Sequence, residues 1–114
     1  MASLTALLSG CGPTVYGQAS IAEDAQTQMI GLTKREVLEC AGIPKRAMQS
    51  DGVEYLQYSY RWQGGNDGNT VTKNCDVTIT LSDGRVSKVD YRGDTGGLLT
   101  KGWACYYVVE DCVQ

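Results

Sequence analysis

Cysteine is the residue type in this chain whose side chain offers the most chemistry. Its 114 residues include five cysteines and no histidine. Histidine is the commonest general base and metal ligand, so its absence removes the usual catalytic and metal-binding designs. No two cysteines have the Cys-x-x-Cys spacing of a zinc or redox site. We therefore expect no metal and no cofactor, and, in an oxidising compartment, two disulfides with one cysteine left over.

The first cysteine follows a short apolar stretch, Leu4 to Leu8, in the tetrad Leu8-Ser9-Gly10-Cys11. Small residues after an apolar run are what a signal peptidase cleaves. The tetrad resembles the bacterial lipobox, which implies that Cys11 is the lipidation site and first residue of the mature protein. Met1-Ala2-Ser3 lacks the basic residues that open a signal peptide, so residues 1–10 are expected to be a truncated signal. The alternative is an ordinary N-terminal helix with an incidental cysteine.

The residue after Cys11 bears on localisation. In diderm bacteria an aspartate there favours retention in the inner membrane, whereas this chain has Gly12. The lipobox resemblance thus implies the outer membrane, at its periplasmic face. We expect residues 11–19 to be a lipidated tether and residues 20–114 to be one folded domain. The net charge of -3 argues against a nucleic-acid partner, which normally needs a basic surface.

Two capping boxes predict two helices at the start of the folded part. Ser20-Ile21-Ala22-Glu23 and Thr33-Lys34-Arg35-Glu36 both have the spacing in which each end side chain binds the backbone amide of the other. Gly31 is expected to end the first helix and Gly42 the second.

Alternating apolar residues predict three strands after the helices, with only a basic bend at residues 45–46 in between. The first begins at Val53, the second spans Cys75 to Leu81, and the third, after a tight hairpin turn, spans Val86 to Tyr91. The expected fold class is α+β: two N-terminal helices packed on a three-stranded antiparallel meander (ααβββ), with a disulfide-bonded C-terminal tail. The side chains predicted to share one face of the first strand are Leu56, Tyr58, Tyr60 and Trp62.

The four cysteines that remain for disulfides allow three connectivities. They are Cys40, Cys75, Cys105 and Cys112. An extended chain would separate Cys105 from Cys112 by over ~20 Å at roughly 3.3 Å per residue, and a helix would separate them by about 10 Å. A disulfide needs Cα atoms within about 7 Å, so both tail cysteines are expected to bond to Cys40 and Cys75 unless the tail folds sharply. The competing arrangements are Cys40–Cys75 with Cys105–Cys112, and buried free thiols.

Nothing in the chain is typical of an enzyme. Its adjacent carboxylates, as in Glu23-Asp24, point to different sides of a helix or strand, and it has no nucleophile elbow and no phosphate loop. Large aromatic side chains anchor protein interfaces. The candidates for contact with a partner are Trp62, Trp103, Tyr106 and Tyr107. The alternative for each is that it fills the core.

A longer pattern runs from Ile30 to Tyr91. It contains Gly31-Leu32-Thr33-Lys34-Arg35-Glu36-Val37, then Ala41-Gly42-Ile43-Pro44, and a hairpin from Val77 to Val86. These segments resemble the BamE (SmpA/OmlA) family of small outer-membrane lipoproteins. The resemblance implies an ααβββ fold and a non-enzymatic role as an accessory lipoprotein in outer-membrane assembly or envelope integrity, in contact with another envelope protein. The four mature-domain cysteines and the tail depart from that family.

Because one fold serves many functions, other roles stay open. One is a periplasmic binding or inhibitor module that uses the glycine-rich loop at residues 63–69. Another is a lipoprotein subunit of a secretion apparatus.

Overall fold

The computed structural model describes residues 14–65 and 68–113, so the expected signal peptide and Cys11 lie outside the described residues. Two helices come first in this part of the chain, α1 (Val15–Gln28) and α2 (Lys34–Ala41). The strands are β1 (Arg46–Ser50), β2 (Val53–Gly64), β3 (Val71–Ser82) and β4 (Arg85–Arg92). The tail consists of a 3₁₀ turn (Trp103–Cys105), the one-turn helix α3 (Tyr106–Val109) and a second 3₁₀ turn (Glu110–Cys112).

The strands form one antiparallel sheet in the order β1-β2-β3-β4. The α+β class is confirmed, but the prediction of three strands is wrong, because β1 occupies the place where only a bend was expected. All five residues of β1 are exposed, so this edge strand lacks the alternation of apolar and polar residues that marks a half-buried strand. Asp51 and Gly52 join it to β2 with φ angles of 52° and 81°, as a type I′ hairpin turn requires.

Helix α1 begins six residues earlier than the capping-box pattern predicts. Its N-cap is Thr14, whose hydroxyl accepts a hydrogen bond from the amide of Gly17. The Ser20 capping box is therefore wrong, and residues 15–19, which the sequence assigns to the tether, belong to α1. The sequence signal at Thr14 is weak because Gly17 has no side chain to return the hydrogen bond. Burial of Gln18 and Ala19 shows that this first part of the helix packs on the domain.

The second capping box is confirmed. The Glu36 amide donates to the Thr33 hydroxyl at 3.2 Å, and the Thr33 amide donates to the Glu36 carboxylate at 2.8 Å. This backbone hydrogen bond from Thr33 is the main reason that the pKa of Glu36 lies below its ordinary value. Helix α2 ends as predicted, with Gly42 as its C-cap at a φ of 87°.

The inner face of the sheet forms the core with the helices and the tail. A register shift between β3 and β4 makes this face continuous: Leu81 pairs with Val86, but Thr80 pairs with Lys88. The extra residue is a β-bulge, and it turns Val86 and Val89 to the same side although they are three positions apart. The buried side chains of this face are Leu56, Tyr58, Cys75, Val77, Ile79, Leu81, Val86 and Val89.

The outer face of the sheet is mainly polar. Ser59 lies opposite Asp76 in the β2–β3 register, and its hydroxyl donates to the Asp76 carboxylate at 2.6 Å. The Lys45 ammonium donates to the same hydroxyl at 2.9 Å. These hydrogen bonds suit a face in contact with water.

Candidate functional site

Two disulfides fix the C-terminal tail on the body of the domain. Cys40 of α2 bonds to Cys112, and Cys75 of β3 bonds to Cys105, with Cα–Cα distances of 5.0 and 5.2 Å. Both tail cysteines thus bond to the body and not to each other. The Cys75–Cys105 bridge is fully buried. The tail is held at both ends, on the second helix and on the sheet.

The tail brings together all four aromatic residues that the sequence suggests as partner contacts. The rings of Trp62 and Trp103 meet edge to face, with centroids 5.1 Å apart. Tyr107 lies 6.3 Å from Trp103 and 5.4 Å from Tyr106, again edge to face. Such pairs add stability beyond the area that they bury. We call this group, with Tyr60, the aromatic cluster.

Tyr60 is the member of the cluster that was not predicted to contact a partner. Its ring stacks on that of Tyr107, with centroids 4.5 Å apart and an interplanar angle of 18°. The available signal was its position two residues before Trp62, since alternate residues of a strand share one face. Tyr60 was predicted on that face, but nothing in the irregular tail sequence indicated that Tyr107 would cover it.

Exposure divides the cluster into a base and a surface. Trp103 is only 7% exposed, so for this residue the alternative of a core position is correct. Trp62 and Tyr107 pack against the core but are only partly buried, and Tyr106 beside them is also partly buried. Trp103 therefore supports two of the partly exposed rings directly, those of Trp62 and Tyr107.

A glycine positions the outer tryptophan. A Cβ atom at Gly64 would lie 2.4 Å from Cη2 of Trp62 and 2.7 Å from its Cζ2. The missing side chain at the end of β2 thus leaves the space into which the indole folds. Gly64 marks a close approach between a side chain and the backbone, which is one meaning of glycine in a strand.

Polar groups surround the cluster on two sides. The Gln18 amide of α1 donates to the Tyr107 hydroxyl at 3.3 Å. Desolvation raises the pKa of Tyr106, and the Glu110 carboxylate raises it further because it opposes a second negative charge. Glu110 and Asp111 are exposed in the following turn, so the accessible aromatic rings have an acidic border.

Within residues 14–65 and 68–113, no group of three His, Cys, Asp or Glu side chains could hold a metal ion. No helix in that part of the chain is long and apolar enough to cross a membrane. Comparison with protein-family models, with curated proteins and with solved structures finds no match for this chain.

Proposed function

We propose that this protein is a lipid-anchored accessory protein of the outer membrane, of BamE-like type, which docks on another envelope protein through its aromatic cluster. The observation that carries the proposal is the pair of disulfides that fixes the aromatic tail on α2 and on the sheet. Disulfides persist in oxidising compartments such as the bacterial periplasm and are rare in the cytosol. The bridged tail therefore favours an exported protein.

The odd number of cysteines supports the anchor. Four of the five are bonded, which leaves Cys11 as the single thiol. An unpaired cysteine in an exported protein needs a role of its own. Its place after Leu8-Ser9-Gly10 fits acylation at a lipobox, and a multiply acylated cysteine gives stable membrane attachment.

The aromatic cluster suits a docking surface because its rings are already ordered. Trp62 and Tyr107 contact Trp103 from two sides, and Tyr60 stacks on Tyr107. Rigid aromatic side chains lose little conformational entropy on binding, so more of the contact energy appears as affinity. The acidic border formed by Glu110 and Asp111 suits a partner with basic residues around an apolar centre.

The mass of the protein extracted from the native envelope tests the anchor and the compartment. We expect an acyl mass on the peptide that contains Cys11, and two added hydrogens per bridge on reduction. A Cys11→Ser variant should lose the acyl mass and leave the membrane fraction while keeping both bridges. Recovery from the cytosol without acylation and with free sulfhydryls would contradict the proposal.

Site-specific photocrosslinking in the envelope tests the docking surface. A photoreactive residue at Tyr106 should form one dominant adduct with an envelope protein. The matched control is the same residue at Tyr55, which pairs with Thr80 and lies on the polar outer face of the sheet. Trp62→Ala should weaken the adduct from position 106, whereas equal adducts from positions 55 and 106 would contradict docking through the cluster.

A further inference from the structure

A closed loop precedes the tail and displays two leucines. Thr95, which is only 7% exposed, closes the loop at its base: its hydroxyl accepts from the Gly102 amide at 3.0 Å, and its carbonyl accepts from the Ala104 amide at 2.9 Å. At the tip, the Thr100 amide donates to the Gly97 carbonyl at 3.3 Å, and the Gly97 amide donates to the Thr100 hydroxyl at 3.0 Å. Residues 97–100 therefore form a tight turn.

Leu98 and Leu99 occupy the two central positions of this turn, where they are 98% and 81% exposed. Turns in water normally place glycine, proline, asparagine, aspartate or serine at such positions. A pair of adjacent, almost fully exposed leucines is a poor choice for contact with water, because each could gain free energy by leaving it. We call residues 97–100 the leucine turn.

The leucine turn stands on a rigid support. A Cβ atom at Gly96 would lie 2.1 Å from the Thr100 carbonyl oxygen and 2.7 Å from Cδ1 of Trp103, so the backbone there is tightly seated. Trp103 is buried and lies two residues before Cys105, which is bonded to Cys75. The backbone that carries the two leucines is thus held in place by packing on Trp103 and by the nearby Cys75–Cys105 bridge.

The leucines also border a groove of about 560 Å³ whose other side is lined by α1 from Tyr16 to Gln26. Tyr16 of α1, 63% exposed, lines it together with Leu98, Leu99 and Lys101. Leucine, tyrosine and lysine side by side are the combination that suits the boundary between lipid and water, with the leucines in the acyl region and the tyrosine and lysine at headgroup level.

The position of Cys11 indicates which surface this region faces. Thr14, at the start of α1, is two residues from Tyr16 and three from Cys11. Three residues of chain reach at most about 10 Å. An acyl anchor on Cys11 would therefore hold this end of α1, and with it the Tyr16 end of the groove, near the bilayer.

We propose that the leucine turn inserts into the bilayer interface as a second membrane contact beside the acylated cysteine. This inference rests on the lipid anchor of the proposed function. An anchor at one point leaves a domain free to rotate about its attachment. A second contact at the leucine turn fixes which face of the domain is turned towards the membrane, and hence how the aromatic cluster is presented to a partner.

Tryptophan fluorescence on tethered protein tests this contact without depending on acylation in the cell. The full unacylated chain is coupled through Cys11, its one unbonded thiol, to a maleimide phospholipid in phosphatidylethanolamine–phosphatidylglycerol vesicles. Leu98→Trp reports on the turn, and Ile43→Trp is the matched control, since Ile43 is 84% exposed and lies outside the groove. Trp62 and Trp103 give the same background in both variants.

We expect the added emission of Leu98→Trp to shift to shorter wavelength on tethering and to be lost in vesicles with brominated acyl chains. The Ile43→Trp emission should keep its wavelength and intensity. An unshifted, unquenched signal at position 98 would overturn the inference and would point to a protein contact instead, and equal quenching at both positions would also overturn it. Absence of acylation in the native envelope would be a failure of the proposed function, and this experiment would still give its own answer.

Discussion

The hydroxyl of Tyr91 donates a hydrogen bond to the backbone carbonyl oxygen of Ala22 and so joins β4 to the middle of α1. The Gln26 amide forms a second link from α1 to the same strand, donating to the Val89 carbonyl at 2.9 Å. Between these links α1 presents Ala22 and Ala25, which are fully buried. Since alanines bury little apolar area, the two hydrogen bonds help to fix the helix on the sheet.

Replacing Tyr91 with phenylalanine should therefore lower the free energy of unfolding by about 1 kcal/mol, the net contribution of a typical intramolecular hydrogen bond. The loss would appear as a lower midpoint in urea with an unchanged slope. Tyr16→Phe is the control, because that side chain is 63% exposed and its hydroxyl is hydrated in both states. Equal effects of the two substitutions would show that the Ala22 contact does not stabilise the fold.

Stability should fall at alkaline pH because of Tyr58. Burial raises the pKa of Tyr58 to about 12, and its hydroxyl donates to the Gly42 carbonyl at 2.9 Å. The unfolded chain releases this proton near pH ~10, so the contribution is complete below that pH. It is lost progressively as the pH rises from about 10 towards 12, where the folded state binds more protons than the unfolded one.

The measurement is urea unfolding across this range, in a Cys11→Ser background that removes the free thiol. Tyr58→Phe should reduce the fall in stability, and the part that remains is expected from Tyr91, whose pKa burial also raises. An unaltered pH profile in Tyr58→Phe would contradict the assignment.

A side chain at Gly64 should displace Trp62. In Gly64→Ala the new Cβ would occupy the place of the indole, and we expect a destabilisation of about 1–3 kcal/mol from overpacking. Trp62 emission should shift to longer wavelength as the ring moves into water.

A double-mutant cycle identifies the cause. In a Trp62→Leu background, Gly64→Ala should cost much less, because the ring that it would contact is gone. Equal destabilisation in both backgrounds would mean that Gly64 is required for its backbone conformation and not for the space that it leaves to Trp62.

The two bridges should contribute unequally to the order of the aromatic cluster. The loops that they close span 72 and 30 residues, and chain entropy alone gives each about 4 kcal/mol. Replacing Cys40 and Cys112 by alanine should free only the last turn and keep the near-ultraviolet circular dichroism of Trp103. Replacing Cys75 and Cys105, which are buried beside Trp103, should lose that signal as well. If the signal were lost on replacing Cys40 and Cys112 and kept on replacing Cys75 and Cys105, the Cys40–Cys112 bridge would be the one that orders the cluster.

The elements that could be predicted from sequence are those whose signals are local. The Thr33 capping box needs two residues three apart, and the Asp51-Gly52 and Asp83-Gly84 turns need residues that tolerate positive φ, which both aspartates adopt. The alternation from Cys75 to Leu81 was sufficient to assign the buried face of β3.

The features that could not be predicted depend on tertiary contacts. Strand β1 exists because its backbone pairs with β2 from Arg46 to Ser50, and its exposed side chains carry no pattern. The tail consists of a single helical turn between two 3₁₀ turns. These elements are too short to produce a helical periodicity of apolar residues in the sequence. Geometry limited how Cys105 and Cys112 could pair, but their individual partners, and thus the cluster around Trp103, depend on how the tail crosses the sheet.

The pairing of Cys40 with Cys112 and of Cys75 with Cys105 also determines what a protease can achieve. A single cut anywhere between residues 40 and 112 gives two fragments that at least one bridge still joins. A nicked molecule would thus stay in one piece, with both fragments attached to any lipid on Cys11, until a reductant acted on it. At least a second cut in the same range would be needed before any segment could leave without reduction.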